Sequence, residues 1–226
     1  GGLPDGTVDA GTLATDSVSL TEMASGTDGN IISYDASGNP VAIATGSDGQ
    51  VLTSTGAGSP PAFEALPGGG LTEADQWRIT SNLGLNNDAL TWVTANWERA
   101  DTYGAGKLGT GMTQSSGSFT FPSTGLWMIL LQTKVGGTGD ARYIYATINT
   151  TTNNSTYYEA SSAVTSINDA SSTWYNSQNC NFIFDVTNTS THKVKMKMFS
   201  ITNNISLFGS TNEQLSGLTF IKLGET

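Results

Sequence analysis

Few residues in this sequence have the type and spacing that catalysis requires. His192 is the only histidine, and the single cysteine, Cys180, does not lie at metal-binding spacing from it. Because His192 precedes the strand-like stretch KVKMKM, we expect a surface histidine near a turn. Serine is abundant, but the sequence has no G-x-S-x-G segment. Nucleophilic catalysis therefore has no positive support.

The acidic residues of the C-terminal region are scattered rather than paired. Cleavage of a polysaccharide needs two carboxylates that flank the scissile bond. No such pairing is visible among Asp140, Glu159, Asp169 and Asp185. We also find no calcium-binding D-x-D cluster. The sequence predicts a protein that is not an enzyme, with no cofactor and no metal site.

A row of lysines suits a binding surface better than a catalytic site. Lys193, Lys195 and Lys197 alternate with apolar residues, so they would lie on one face of a strand. Such a basic stripe would attract anionic surface glycans or lipopolysaccharide. The alternative is a solvated strand face whose lysines prevent edge-to-edge aggregation.

Aromatic residues stand among Asn, Ser and Thr in two segments that we expect to be loops. They are Tyr157, Tyr158, Trp174 and Tyr175. Exposed rings with short polar neighbours suit the faces and hydroxyl groups of sugars. The alternative is that these rings pack inside the domain or between protomers.

The elements that must position these residues are β-strands. From residue 71 onward, short segments rich in aromatic and β-branched residues are separated by Gly, Asn, Asp, Ser and Thr clusters. The clearest segments are 91–98, 118–122, 142–148, 180–186, 193–201 and 217–223. Segment 126–135 is more continuously apolar, as expected of a strand covered on both faces. With weaker candidates, the pattern predicts an all-β jelly-roll sandwich of about ten strands.

The first 70 residues follow a different pattern. GTDGNIISYDASGNP (26–40) and GSDGQVLTSTGAGSP (46–60) repeat one phrase at a spacing of 20 residues. Each module has only a few apolar side chains, which cannot offset the ~1–2 kcal/mol per residue that backbone ordering costs. We predict that three chains associate into a stalk, and a disordered linker is the alternative. The predicted stalk core consists of Ile31, Ile32, Ile43, Val51, Leu52 and Phe63.

Charge also separates the two regions. The chain has a net charge of −10, and residues 1–70 contain no Lys or Arg. An acidic region of this kind disfavours nucleic acid, because phosphate binding depends on basic side chains. The longest apolar run, LWMILL (126–131), is far shorter than the ~20 residues that span a bilayer. We therefore expect neither nucleic-acid binding nor membrane insertion.

Two stretches resemble known families. FTFPSTGLWMILLQTKV (119–135), together with LSGLTFIKL (215–223), resembles the trimeric jelly-roll heads of the complement and tumour-necrosis-factor (TNF) superfamily. DGQVLTSTGAGSPPAFE (48–64) resembles repeats that precede such heads in bacteriophage and marine-virus fibre proteins. Two segments that repeat at a spacing of ten residues, 6–14 and 16–24, resemble the attachment-proximal segments of the same proteins.

The resemblance implies a homotrimeric fibre or spike of a bacteriophage. Residues 1–25 would be particle-proximal and contact other virion proteins, 26–70 would form the stalk and linker, and 71–226 would form the head. The protein would be assembled in the host cytoplasm and exposed on the virion, where the head contacts the host surface. The alternatives are a capsid decoration protein without receptor binding and a secreted bacterial adhesin or lectin-like module.

Overall fold

The computed structural model describes Thr7 and residues 25–65, 70–85, 89–168 and 172–226. The chain divides into two compact units, Gly1–Gly69 and Gly70–Thr226, which we call the hairpin unit and the head. The repeats predicted within 6–24 lie outside the described residues, apart from Thr7.

The hairpin unit contains two antiparallel β-hairpins, one in each repeat. Gly29 and Gly49, which end the two Asp-Gly pairs, have φ values of 77° and 81°. Glycine adopts this left-handed conformation without a Cβ clash, so the repeated Asp-Gly pair produces a repeated turn. The paired strands are β1 (Ile31–Tyr34) with β2 (Pro40–Ile43), and β3 (Gln50–Thr53) with β4 (Ala62–Ala65).

The head consists of β-strands, with no helix among the residues that the structure describes. Its strands are β5 (Ala74–Ile79), β6 (Leu83–Leu85), β7 (Ala89–Trp92), β8 (Trp97–Arg99), β9 (Thr113–Ser115), β10 (Ser118–Thr120), β11 (Gly125–Thr138), β12 (Ala141–Thr151), β13 (Tyr158–Ile167), β14 (Thr173–Val186), β15 (Lys193–Ser200), β16 (Ile205–Leu207) and β17 (Gly217–Gly224).

These strands form two antiparallel sheets. One has the order β6-β16-β11-β17-β5-β8, and β14 pairs with the other edge of β11, which makes seven strands. The second has five strands in the order β13-β12-β15-β10-β9. β7 ends beside β15, where the backbone N–H of Val93 donates to the carbonyl of Met196 at 3.1 Å. Because β11 and β15 each have paired strands on both sides, they are inner strands of their sheets.

Burial alternates along the strands, as expected when one face of each sheet covers a shared core. On β15, Val194, Met196 and Met198 are buried, whereas the lysines between them are partly exposed. Four aromatic rings in contact form the centre of the core: Phe119, Phe121, Trp127 and Phe220.

Strand β11 departs from expectation. Its apolar sequence predicts cover on both faces, but Leu126 and Leu130 are each 37% exposed in the single chain. Trp127, Ile129 and Leu131, which alternate with them, are buried in the core. The chain itself therefore covers only one face of this strand.

His192 is not a surface residue, so that prediction was wrong. Only 8% of it is exposed, and its ring stacks on Phe184 at 5.5 Å between centroids. Its ring nitrogens lie 3.3 Å and 3.1 Å from the hydroxyl groups of Thr187 and Thr191. The reason is that His192 lies two residues before Val194. Side chains two residues apart on extended backbone point to the same side, which here is the core.

Candidate binding surfaces

The lysine row lies in the interior of a sheet. β15 pairs with β12 along its length and with β10 at one end, so it is not an edge strand and its lysines do not protect a sheet edge. Lys193, Lys195 and Lys197 are all half-buried on the face of the five-stranded sheet that points away from the core. The prediction that they share one strand face is confirmed.

Lys193 is held by local hydrogen bonds. Its ammonium donates to Thr120 Oγ1 at 2.8 Å and to the carbonyl of Thr189 at 3.0 Å. Burial lowers the pKa of Lys193, because desolvation disfavours the charged form. These hydrogen bonds connect the first residue of β15 to β10 and to the segment that precedes β15.

Lys195 and Lys197 lie against aromatic rings. The Nζ of Lys195 is 4.7 Å from the ring centroid of Tyr157 and 5.6 Å from that of Trp92. The Nζ of Lys197 is 4.2 Å from the Trp92 ring. These are cation–π distances. Within the described part of the chain, neither lysine forms a salt bridge.

The two predicted tyrosines differ in burial and in their contacts with the lysine row. Tyr157 is half-buried, contacts Trp92 edge-on at 5.8 Å, and its hydroxyl lies 3.0 Å from the hydroxyl of Ser118. Tyr158, the first residue of β13, is 69% exposed. The structure therefore joins Tyr157, but not Tyr158, to the lysine row through ring contacts.

Trp174 and Tyr175 belong to the other sheet, in strand β14 rather than in a loop. Trp174 packs against the core, and its Nε1 donates to the carbonyl of Gly139 at 2.8 Å. Tyr175 is exposed, with its ring 5.5 Å from that of Phe208 and 5.4 Å from the Nζ of Lys134. The predicted aromatic set is thus divided between two surfaces.

A group of rings beside the lysine row was not predicted from the sequence. Tyr145 lies opposite Phe199 in the β12–β15 register, with their ring centroids 6.0 Å apart. Tyr143 contacts both rings, at 5.4 Å and 6.2 Å. A groove of 240 Å³ lies here, lined by Leu90, Tyr145, Thr147, Glu159 and Phe199. The sequence contains a signal for this position, because Phe199 lies two residues after Lys197 and therefore on the same outward face of β15.

The seven-stranded sheet has an apolar outer face. Met128 on β11 lies opposite Ile183 on β14 and Ile221 on β17. Leu130, two residues along, lies between the uncharged Asn181 and Thr219. We call this surface the apolar sheet face and define it by Leu126, Met128, Leu130, Ile183, Ile221 and Leu223.

The six side chains predicted for a stalk core differ in exposure. Ile32 and Leu52 are 59% and 44% exposed, and Ile31 is also exposed. Ile43 is buried, whereas Val51 and Phe63 are half-buried. A groove of 380 Å³ is lined by residues of both repeats, including Ile43 and Phe63. The hairpins therefore leave three of the six predicted stalk-core side chains exposed.

Two further observations concern metals and membranes. Among the residues that the structure describes, no three His, Cys, Asp or Glu side chains are grouped as metal ligation requires. In the same part of the chain, no helix has the length and apolar character needed to cross a bilayer.

Comparison with known proteins identifies the fold of the head. No protein-family model matches the chain, and no curated protein matches it. The chain is similar to the structure of Eiger TNF from S. frugiperda, with 14% identity over 70% of this chain and 96% of that chain, at a TM-score of 0.50. It is also similar to murine APRIL at pH 5.0, with 16% identity over 67% of this chain and 99% of that chain, at a TM-score of 0.47. The predicted jelly-roll head is confirmed, and its arrangement is TNF-like.

Proposed function

We propose that this chain is a structural protein of a bacteriophage particle, a homotrimeric fibre or spike whose head contacts the host cell surface. The observation that supports it most directly is the apolar sheet face of the head. Exposed apolar surfaces of this kind, contiguous across three strands, mark interaction sites in soluble proteins. A second copy of the same chain is the occupant that we propose.

Charge favours a copy of this chain over an unrelated partner. The chain carries a net charge of −10, so identical molecules repel one another in general. Yet the six residues of the apolar sheet face are uncharged, and Asn181 and Thr219 beside Leu130 are uncharged as well. Asp185, opposite Leu126, stands at the margin. Three copies can therefore meet here around one axis without bringing like charges together.

The apolar character of β11 fits the same proposal. In the single chain Leu126 and Leu130 are exposed and Met128 is only half-buried, although their sequence is that of a strand covered on both faces. A neighbouring head would cover the face of β11 that the core of its own chain does not cover. Burying such side chains contributes about 25 cal/mol per Å² of apolar surface.

The hairpin unit supports a shared stalk. Isolated two-stranded hairpins are marginal in water, and these two leave Ile32 and Leu52 exposed. In our proposal, three chains place these side chains against one another and so order the stalk. Residues 1–25 would then contact other virion proteins, and the assembled fibre would be displayed on the virion.

The five-stranded sheet remains available to a host surface in this arrangement. It carries the lysine row and the ring group, on the sheet that does not bear the apolar sheet face. The role that we propose for it is attachment without bond cleavage. Threefold repetition would multiply weak contacts through avidity.

The mass of the protein in solution tests the trimer. We expect light scattering to give three times the chain mass of 23.6 kDa. Ile221→Asp places a charge at the centre of the apolar sheet face, where three copies would repel one another, so this variant should run as a monomer. Val164→Asp is the matched control, because Val164 is also exposed and apolar but lies on β13 of the other sheet. A monomeric parent chain would overturn the proposal.

The role in a virion needs a separate measurement. Mass spectrometry of purified particles should detect the chain, and added head should compete with particles for host cells. Detection in particles without competition would indicate capsid decoration. Detection only in the secreted fraction of bacteria would indicate an adhesin.

A further inference from the structure

We infer that the five-stranded sheet binds a saccharide that carries an acidic group, in the groove between Leu90, Tyr145 and Phe199. The inference deepens the proposed function, because it names the chemistry that the head would contact on a host surface. It depends on the rings and the polar groups of the groove and on two lysine cations beside it.

The rings provide a stacking surface. Tyr145 and Phe199 lie side by side across β12 and β15, and both line the groove together with Leu90. Tyr143 extends the same surface beyond the groove. The C–H face of a sugar ring is apolar and packs against such rings, while its hydroxyl groups stay at the edge.

Polar groups line the same groove. Glu159 on β13 is exposed and, within the described part of the chain, forms no salt bridge. A carboxylate can accept hydrogen bonds from two sugar hydroxyl groups. Thr147 is already engaged, because its Oγ1 accepts from Asn149 Nδ2 at 2.6 Å and donates to the Lys197 carbonyl at 3.2 Å. Glu159 is thus the free acceptor.

Positive charge lies on the opposite side of Thr147 from β13. Lys197 is the direct β15 neighbour of Thr147, and its ammonium rests on Trp92 at 4.2 Å without an anionic partner in the described part of the chain. Lys195 is held in the same way by Trp92 and Tyr157. Contact with rings orients both cations and leaves their N–H donors available to a carboxylate or phosphate.

A carboxylate on β13 therefore lines the groove, whereas the ammonium groups on β15 lie outside its lining, on the other side of Thr147. An acidic sugar fits this polarity when its hydroxyl groups face Glu159 and its acidic group faces Lys197. The volume of 240 Å³ equals that of about eight waters at ~30 Å³ each, which is room for one ring rather than a long chain. A longer glycan would continue over Tyr143.

The test is titration calorimetry of the full chain with three oligosaccharides: one that carries uronic acid, one that carries phosphate, and a neutral oligoglucose. We expect the acidic sugars to bind about tenfold more tightly than the neutral one, since a hydrogen bond to a charged group is stronger. The preferred acidic sugar distinguishes a capsule-like source from a lipopolysaccharide-like source. Equal affinity for all three, or binding of none, would overturn the inference.

Matched variants locate the site. Lys197→Gln keeps a polar side chain but removes its positive charge, and should reduce the affinity for acidic sugar about tenfold, while affinity for the neutral sugar is unchanged. Phe199→Leu keeps an apolar side chain but removes the ring, and should weaken the binding of all three sugars. The controls are Lys134→Gln and Tyr175→Leu, which alter the lysine–ring pair of the other sheet.

Equal losses in the controls and in the site variants would assign the effect to general charge and overturn the inference. Thermal unfolding of each variant shows whether the head remains folded. Light scattering on the same samples separates the two proposals, because a trimer that binds no sugar contradicts only the saccharide site.

Discussion

The hairpin unit and the head are both made of antiparallel β-strands, but they bury apolar side chains to very different extents. In the head, strands from both sheets contribute to one core that includes Phe119, Trp127 and Phe220. In the described part of the hairpin unit, Ile43 is the one buried apolar residue. The head is therefore stabilised from within, whereas we propose that the hairpin unit is stabilised by association.

The two units also differ in what specifies their strand pairs. Each hairpin joins neighbouring segments, and a local turn such as that around Asp35 sets its register. In the head, by contrast, β17 pairs with both β5 and β11, which are far away in sequence. Local turns specify the register of the hairpins, whereas the head requires long-range contacts that a core must stabilise.

The largest effect should follow from removing a ring from the core of the head. Trp127 is fully buried and contacts Phe121 at 5.1 Å. We expect Trp127→Ala to reduce the free energy of unfolding by about 3–5 kcal/mol, because the vacated volume cannot be refilled. Urea denaturation followed by tryptophan fluorescence and circular dichroism measures this change.

Ile32→Ala in the hairpin unit is the control for that experiment. Because Ile32 is largely exposed, we expect it to leave the unfolding transition of the head within about 0.5 kcal/mol of the parent. A comparable loss in both variants would show that the two units do not differ in the way described above.

The strands of the head were largely predictable, because alternation is a local signal. Segments 142–148, 193–201 and 217–223 fall within or overlap β12, β15 and β17. Segment 91–98 was predicted as one strand, but β7 ends at Trp92 and β8 begins at Trp97. Asn96, with φ of 62°, takes the left-handed conformation between them, which breaks the extended backbone.

The proposed binding surface was predictable only in part. Strand phase placed the three lysines on one face, and the polar surroundings indicated Tyr157. The contact of Lys197 with Trp92, however, depends on β7 lying beside β15, and the Tyr145–Phe199 pair depends on the register of β12 with β15. Register between distant strands is set by packing of the whole core, so no short segment encodes it.

A smaller loss of stability should follow when a side chain is added at a crowded glycine in one repeat. A Cβ added at Gly46 would lie 2.6 Å from the Cβ of Phe63, whereas one added at the equivalent Gly26 would meet nothing within 4 Å. We expect Gly46→Ala to destabilise the second hairpin by about 1–3 kcal/mol through overpacking. Amide hydrogen exchange in β3 and β4 should become faster.

Gly26→Ala is the matched control, since it makes the same change at the same position of the first repeat. Exchange in β1 and β2 should be unaffected by it. If Gly26→Ala accelerates exchange as much as Gly46→Ala does, local backbone propensity rather than the contact with Phe63 controls the hairpins.

The smallest effect concerns pH and the turn of the first hairpin. The carboxylate of Asp35 accepts hydrogen bonds from the backbone N–H and side-chain amide of Asn39, at 2.9 Å and 3.3 Å, and from the backbone N–H of Ser37 at 2.8 Å. These bonds, those from Asn39 foremost, lower the pKa of Asp35 from its ordinary value of 3.8.

Because the folded pKa lies below the unfolded pKa, the stabilisation from Asp35 is fully present above pH 3.8 and is lost as the pH falls through the folded value. We expect the backbone amides of Ser37 and Asn39 to lose protection in that acidic range. Their shifts and exchange rates, followed by NMR from pH 6 to pH 2, measure the transition. Asp35→Asn keeps an acceptor oxygen without the titration, so its turn should not respond to pH in this range. A parent turn that is equally insensitive would show that the hairpin is held by its strand pairing rather than by its turn.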